Sequence, residues 1–273
     1  MLKPEATLLA VVLLGAGPAC AGEVGVVEDP CAALSPVKEE RRQQDYFGIC
    51  RYRDDNAKLE ARQGSRVVFF GDSITDNWGS PSYGGFFPGK PYVNRGIGGQ
   101  ATGQMLVRFR ADVLALHPAV VVILAGTNDI SGNAGPTSLE QVEGNLASMA
   151  ELARAHEIKV VLASLLPVSD DKTGPDGQRR VQTKDRPPAK IQAVNTWMAA
   201  YAKANGNVYL DYHSAVADAS DRFKGALTDD GLHPNAAGYA VMAPLAEKAI
   251  AEALRGSGGS GGRPEAKAPK RTR

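Results

Sequence analysis

The sequence of 273 residues has little net charge and few cysteines or histidines. Its formal net charge is +1, so it lacks a broad positive field and nucleic acid is not expected as a partner. Its three cysteines and four histidines are scattered without the spacing of a metal site, and we expect no metal and no other cofactor. Hydrophobic residues make up 43% of the chain, enough for one substantial domain with a core.

The chain also has no apolar run near its beginning that would cross a bilayer comfortably. Residues 8–15 are apolar and follow a basic start, and Ala19-Cys20-Ala21 has the small residues of a cleavage site. This pattern predicts a signal peptide over residues 1–21, cleaved after Ala21, and export to the periplasm or the extracellular space. Cys20 leaves a lipid anchor as the alternative, although the residues before it fit a lipobox poorly.

Cleavage would leave two cysteines, Cys31 and Cys50, in the mature chain. An even number of cysteines in an oxidising compartment predicts a disulfide between them. The alternative is two independent reduced thiols.

Composition divides the chain into four parts. After the signal peptide, residues 22–63 form a polar extension with a charged segment from about Pro36 to Gln63 that we expect to be helical. Residues 64–255 carry the core pattern of the main domain. Residues 256–273 are rich in glycine and serine and end in basic residues, which is typical of a disordered tail.

Five short apolar runs alternate with amphipathic stretches through the main domain. The runs predict buried parallel strands, and they lie at 66–70, around 93, and at 119–124, 160–163 and 208–210. Between and after them, apolar residues recur every three or four positions, which predicts helices that include 188–205 and 235–254. This alternation indicates an α/β fold with a parallel sheet and helices on both faces.

Two further features leave alternatives open. The segment Ser169–Pro187 is long, polar and rich in glycine, proline and basic residues, so it is either a lid or substrate loop or an insertion without such a role. Three aromatic residues, Tyr83, Phe86 and Phe87, could wall an acyl or sugar pocket or serve ordinary packing.

A serine and a histidine in the main domain have the surroundings of a nucleophile and its base. Ser73, in Gly-Asp-Ser-Ile-Thr, stands where a strand turns into a helix; taken alone, it would better suit a helix N-cap. His233 follows Asp230 by three residues, a spacing that lets the carboxylate orient the imidazole. Asp229 is a competing partner with a less suitable spacing, and the alternative for the pair is a capped turn with a surface histidine.

Two other segments supply hydrogen-bond donors at the carboxyl ends of predicted strands. Asn128, in Gly-Thr-Asn-Asp, follows the third strand, and its amide could stabilise an oxyanion or simply form a turn. The pair Gly98-Gly99 follows the second strand, where it allows close approach to a substrate or forms a tight turn. Parallel sheets bind ligands at this edge, so Ser73 and these donors are expected to meet there.

The four segments resemble the sequence blocks of the SGNH, or GDSL, hydrolase family, notably its branch of platelet-activating-factor acetylhydrolase-like and lysophospholipase-like enzymes. The resemblance covers residues 66–254 and implies a flavodoxin-like three-layer sandwich with a five-stranded parallel sheet. It implies Ser73 as nucleophile, with Asp230 and His233 completing the triad. It also implies an oxyanion hole formed by Ser73, Gly99 and Asn128. Of the two glycines, the donor is the one directly before the polar residue Gln100, which is Gly99. Ile74 stands where the family name has leucine.

The expected function is therefore hydrolysis of acyl esters through an acyl-Ser73 intermediate, by a monomer that acts on small-molecule, polysaccharide or lipid esters. An acetylesterase and a lysophospholipase-type lipase are both compatible with the sequence. A non-catalytic carbohydrate-binding protein on the same scaffold is the alternative function. A flavodoxin-like redox protein is disfavoured, because Asp72 and Asp76 would repel phosphate at the end of the first strand.

Overall fold

A computed structural model of the protein describes residues 29–59, 66–83, 85–174 and 176–255. The expected signal peptide with Cys20 and the expected tail lie outside the described residues. So does the expected boundary between the extension and the main domain, at residues 63 and 64.

The centre of the molecule is one sheet of five parallel strands in the order β2-β1-β3-β4-β5. The strands are β1 (Val67–Gly71), β2 (Tyr92–Gly96), β3 (Val120–Leu124), β4 (Lys159–Ala163) and β5 (Val208–Leu210). The strand order reverses between β1 and β3, which is where parallel α/β sheets bind ligands.

Nine α-helices are present within the described ranges. They are α1 (Lys38–Gln44), α2 (Arg53–Ala57), α3 (Ser73–Trp78), α4 (Thr102–Asp112), α5 (Thr127–Ile130), α6 (Leu139–Ala155), α7 (Pro188–Ala204), α8 (His213–Val216) and α9 (Ala236–Arg255). In the part of the chain that the structure describes, no helix combines the length and apolarity needed to span a membrane.

The helices cover the two faces of the sheet and bury a separate apolar core on each. On one face, α4, α6 and α7 pack through residues such as Phe109, Met149 and Met198. On the other, α3 and α9 pack through Trp78 and Met242. The result is the expected three-layer α/β sandwich, with every residue of β1 and of β3 buried.

The N-terminal extension differs from the single helical segment expected over Pro36–Gln63. Its described part contains only the short helices α1 and α2, with turns between them. The turn begins at Asp45, whose carboxylate accepts hydrogen bonds from the N–H groups of Ile49 and Cys50 at 2.8 and 2.9 Å. Gly48 continues it with a φ of +69°, a left-handed conformation that a helix does not allow.

Hydrogen bonds fix the extension to the main domain. The Tyr52 hydroxyl, buried in the structure, donates to the carbonyl oxygen of Gly96 at the end of β2. Asn56 donates to the Asp112 carboxylate at the end of α4, at 2.9 Å. Within the extension, a disulfide joins Cys31 to Cys50 across a separation of 19 residues, so the segment before α1 is tied to the turn that follows it.

A buried arginine joins the carboxyl ends of β1 and β2. The Arg108 guanidinium, from α4, donates to the carbonyl oxygens of Gly71 and Arg95 and to the side chain of Gln100, and forms an ion pair with Asp112 at 3.0 Å. Since both charged side chains are 0% exposed, these contacts replace the water that the charges have lost.

We expect the Cys31→Ser/Cys50→Ser double variant to be less stable than the wild type. Opening a loop of this length restores conformational freedom to the unfolded chain, worth about 3 kcal/mol in the entropic description. Urea unfolding of both proteins, with and without a reductant, measures the difference. The reductant should destabilise only the wild type, and equal stability of the two proteins would show that the crosslink contributes nothing.

Candidate active site

The site lies at the carboxyl edge of the sheet, where three neighbouring strands end. Ser73 opens α3 directly after β1, Gly99 lies in the loop after β2, and Asn128 lies in α5 after β3. This is the arrangement expected from the sequence. Gly96 permits it, because a Cβ atom there would stand 2.1 Å from the backbone nitrogen of Asp76 and would push α3 away from β2.

The structure brings Ser73, His233 and Asp230 into one hydrogen-bonded chain. The Ser73 hydroxyl lies 2.9 Å from Nε2 of His233, and Nδ1 of the same ring lies 2.6 Å from the Asp230 carboxylate. A neutral imidazole with its proton on Nδ1 therefore presents Nε2 as an acceptor to the serine hydroxyl. Such a chain can remove the proton from a hydroxyl that attacks a carbonyl carbon.

Asp230 is held in its ionised form by the turn that contains it. Its carboxylate also accepts the backbone N–H groups of Leu232 and His233, at 2.9 and 2.7 Å. Although burial acts to raise the pKa of Asp230, the hydrogen bonds from the His233 ring and backbone hold this pKa well below its usual range. The competing carboxylate, Asp229, accepts instead from Asn235 at 3.0 Å.

Helix α9 fixes the histidine against the serine. It begins at Ala236, three residues after His233, and packs on α3. Tyr239 in its first turn donates from its hydroxyl to the Ile74 carbonyl oxygen at 2.7 Å, and its ring lies 4.9 Å from the Trp78 ring. This contact joins the segment that carries His233 to the helix that begins at Ser73.

Two backbone N–H groups beside the serine hydroxyl remain available. Those of Ser73 and Gly99 have no hydrogen-bond partner among the described residues, whereas the N–H of Gly98 donates to the Asp76 carboxylate at 3.1 Å. Gly99 is exposed and has a φ of +82°, which a residue with a side chain adopts only with strain. Of the two glycines, Gly99 is thus the one with a free donor.

The Asn128 side chain is oriented by two hydrogen bonds. Its Nδ2 atom donates to the carbonyl oxygen of Gln100 at 3.0 Å, and its Oδ1 atom accepts from Asn133 at 2.9 Å. Because an amide nitrogen carries two hydrogens, one remains after the bond to Gln100. This orientation identifies Nδ2 as a donor atom at the same edge of the sheet as Gly99.

Sequence patterns did not reveal the residue that joins the loops after β2 and β3. Asp129 is buried, and its carboxylate accepts the backbone N–H and the hydroxyl of Thr102 at the start of α4. Burial raises the pKa of Asp129, while the bonds from Thr102 act in the opposite direction. Its position next to Asn128 was a clue in the sequence to this role, but its partner Thr102 is distant in sequence.

Asp72, the residue before Ser73, is a buried acid with an incomplete set of partners. Its Oδ1 atom accepts the Ile74 N–H at 2.9 Å, whereas Oδ2 is buried and has no partner among the described residues. Burial raises the pKa of the Asp72 carboxyl to about 6, against the opposing effects of the Ile74 N–H, His233 and Arg186. The carboxyl therefore changes charge close to neutral pH.

A cavity of about 590 Å³ opens on the His233 side of the site. Its wall includes Tyr83, together with Thr173 and Arg180 from the Ser169–Pro187 segment. That segment is anchored at its far end, where Gln182 donates to the Asp230 carbonyl oxygen at 3.1 Å. The long segment thus borders the site.

The other two aromatic candidates pack away from this cavity. Phe86 and Phe87 pack on Phe69 in β1, with ring centroids 5.1 and 5.0 Å from it. Their contribution is to the core on the α3 and α9 face, so the packing alternative holds for them.

The model of the GDSL-like lipase/acylhydrolase family matches residues 69–241, and the chain belongs to this family. The matched range begins in β1 and ends in α9, so it contains every segment that meets at the sheet edge. The protein is accordingly an enzyme, a GDSL-type acyl-ester hydrolase.

The chain is also similar to solved and curated proteins. A GDSL-like lipase from Bacteroides thetaiotaomicron is 40% identical, with a TM-score of 0.69 over 77% of this chain and 100% of that one. The lipoprotein YqeF of Bacillus subtilis is 32% identical over 41% of this chain, and the esterase TesA of Pseudomonas aeruginosa is 41% identical over 27% of it. The matches span 53% of YqeF and 35% of TesA.

The Asp72→Asn variant should gain stability over the wild type as the pH rises from about 4 to about 7. The unfolded carboxyl ionises at pH ~4, whereas the folded one ionises near pH 6, so the wild type alone loses the contribution of this carboxyl to stability in this window. A pKa difference of this size corresponds to about 3 kcal/mol. Urea unfolding across the pH range measures it, with exposed Asp185→Asn as the control. A difference between Asp72→Asn and wild type that does not vary with pH would contradict the effect.

Proposed function

We propose that the protein hydrolyses carboxylic esters through a covalent acyl-Ser73 intermediate. The observation that carries the proposal is the continuous contact from the Ser73 hydroxyl to Nε2 of His233, and from Nδ1 to Asp230, at 2.9 and 2.6 Å. Membership of an acylhydrolase family supplies the reaction class.

In the first half of the reaction, His233 takes the Ser73 proton as Oγ attacks the ester carbonyl carbon. The carbonyl oxygen becomes an oxyanion, which accepts hydrogen bonds from the N–H groups of Ser73 and Gly99 and from Nδ2 of Asn128. The C–O bond to the alcohol then breaks, and the imidazolium returns its proton to the departing alkoxide. Asp230 stabilises that imidazolium and does not itself transfer a proton.

In the second half, water replaces the alcohol. His233 removes a proton from the water as its oxygen attacks the acyl carbon, and the same three donors stabilise the second oxyanion. Collapse of this intermediate breaks the bond to Ser73 Oγ, which regains its proton from His233 and releases the carboxylic acid. The cycle uses water and groups of the protein alone, with no cofactor.

We assign short acyl groups, such as acetyl, to the site. Gly99 is exposed and the His233 side chain is 26% exposed, so the reacting atoms lie near the surface at the sheet rim. An open rim of this kind accommodates a small acyl group, while the alcohol part extends over the neighbouring surfaces. Lysophospholipid-type esters are the second substrate class to be tested in the same assay.

We also propose that the mature protein is exported to the periplasm or the extracellular space. The predicted signal peptide, the Cys31–Cys50 disulfide and the likeness to the lipoprotein YqeF support this location. Intact-mass analysis of the protein from cell fractions distinguishes cleavage after Ala21 from a lipid on Cys20.

Replacing Ser73 by alanine should reduce hydrolysis of 4-nitrophenyl acetate to near background and leave the fold intact. The variant lacks the attacking oxygen, and in serine hydrolases loss of the nucleophile lowers kcat by about 10⁶-fold. Steady-state rates measure the effect, and circular dichroism checks the fold. Ser214→Ala, which removes an exposed hydroxyl after β5, is the matched control. An unchanged rate in Ser73→Ala would exclude this serine as the nucleophile.

Asp230→Asn should reduce kcat less than His233→Ala does. Asp230 orients the imidazole and stabilises its charge, whereas His233 transfers the proton, and loss of the orienting carboxylate still costs about 10⁴-fold in the best-studied triads. Asp229→Asn is the control, because its carboxylate contacts Asn235 instead of the imidazole. A larger loss in Asp229→Asn than in Asp230→Asn would mean that the roles of the two carboxylates are reversed.

A further inference from the structure

The N-terminal extension lies directly against the loop that carries Gly99. Gln100 donates from its side chain to the Phe47 carbonyl oxygen, and Gln104 does the same to that of Tyr46, both at 2.8 Å. A Cβ atom on Gly48 would stand only 2.8 Å from the Ile97 side chain, so the backbone of the extension packs directly against this side chain. These contacts make the extension one wall of the region beside the active site.

A cavity of about 550 Å³ lies between the extension and this loop. Its lining from the extension includes three arginines, Arg41, Arg42 and Arg51, and its lining from the main domain includes Asp76 and Gly98. A Cβ atom on Gly98 would stand 3.7 Å from Cβ of Ser73, so this wall of the cavity borders the nucleophile.

The charges in this cavity leave an excess of positive charge. The two carboxylates in its lining are engaged by backbone N–H groups, Asp45 by those of Ile49 and Cys50, and Asp76 by that of Gly98. Within the described ranges, the three arginines form no ion pair, and all three are exposed. The guanidinium of one of them, Arg51, stacks 4.8 Å from the centre of the Tyr52 ring.

We infer that Arg41, Arg42 and Arg51 form a subsite for an anionic group, a carboxylate or a phosphate, on the alcohol part of the ester substrate. This inference rests on the proposed function. Because the proposed acyl group is short, we place the alcohol part of the ester toward the arginines. Guanidinium groups suit both anions because their planar N–H donors match the oxygens of carboxylates and phosphates.

Matched charged and neutral acetyl esters test the subsite. For the carboxylate, the pair is 3-acetoxybenzoate and methyl 3-acetoxybenzoate; for the phosphate, it is 1-acetylglycerol 3-phosphate and 1-acetylglycerol. The measured quantity is the ratio of kcat/KM for the charged ester to that for the neutral one. Comparing this ratio between variants removes the intrinsic difference in reactivity within each pair.

In the triple variant Arg41→Gln/Arg42→Gln/Arg51→Gln, the ratio should fall about fivefold for at least one pair of esters. A fivefold change corresponds to about 1 kcal/mol, which is the upper end of the stabilisation that one exposed ion pair provides. The pair that responds identifies the anion as carboxylate or phosphate. Raising the salt concentration should lower the wild-type ratio, since exposed charges are screened over about 10 Å at 0.1 M ionic strength. Arg110→Gln, which removes an exposed charge from α4, should leave the ratio unchanged.

An equal ratio in the wild type and the triple variant, for both pairs, would overturn the subsite while leaving ester hydrolysis intact. If the wild type hydrolysed neither 4-nitrophenyl acetate nor any one of the four esters, this result would instead contradict the proposed function. Circular dichroism of the triple variant distinguishes a lost subsite from a lost fold.

Discussion

The position of the active-site loops depends on one buried guanidinium, that of Arg108. It donates to the carbonyl oxygen of Gly71 at the end of β1 and to the side chain of Gln100, the residue after Gly99. A buried charge is costly unless its hydrogen bonds are satisfied, so the fold can retain Arg108 only with these acceptors and Asp112 in place. The spacing between the strand that leads to Ser73 and the loop that carries Gly99 is therefore set by the need to solvate a single cation.

Some hydrogen-bond donors of the site are bonded to other groups of the protein, whereas others have no partner in the part of the chain that the structure describes. Asp76 accepts the Gly98 N–H and Gln100 accepts one hydrogen of the Asn128 amide, which fixes both groups in place. In the proposed reaction, the free donors at Ser73, Gly99 and the second amide hydrogen are thus held in position before negative charge develops. Preorganised donors of this kind stabilise an oxyanion more effectively than water, which must reorient.

The sequence predicted the parts of the molecule that depend on local pattern. The sheet, its helices and the segments around Ser73 and His233 follow from apolar runs and short-range spacing, and the strands lie within a residue or two of their predicted positions. Contacts between distant residues could not be predicted, because nothing local marks Asp129 as the partner of Thr102. The extension was misjudged for a different reason: its charged residues suggested one helix, whereas the Asp45 carboxylate accepts backbone N–H groups of a turn at the end of α1.

Specificity in this fold has to come from elements outside the sheet, since the sheet edge supplies only the reacting groups. The site is bordered on the His233 side by the Ser169–Pro187 segment, and on the Gly98 side by the extension with its arginines. The extension has little core of its own and holds its position through the disulfide and through Tyr52 and Gln100. Its link to Gln100 joins it to the same residue that Arg108 binds. In the proposed subsite, a substrate group bound by the extension would consequently lie in a fixed position relative to Gly99.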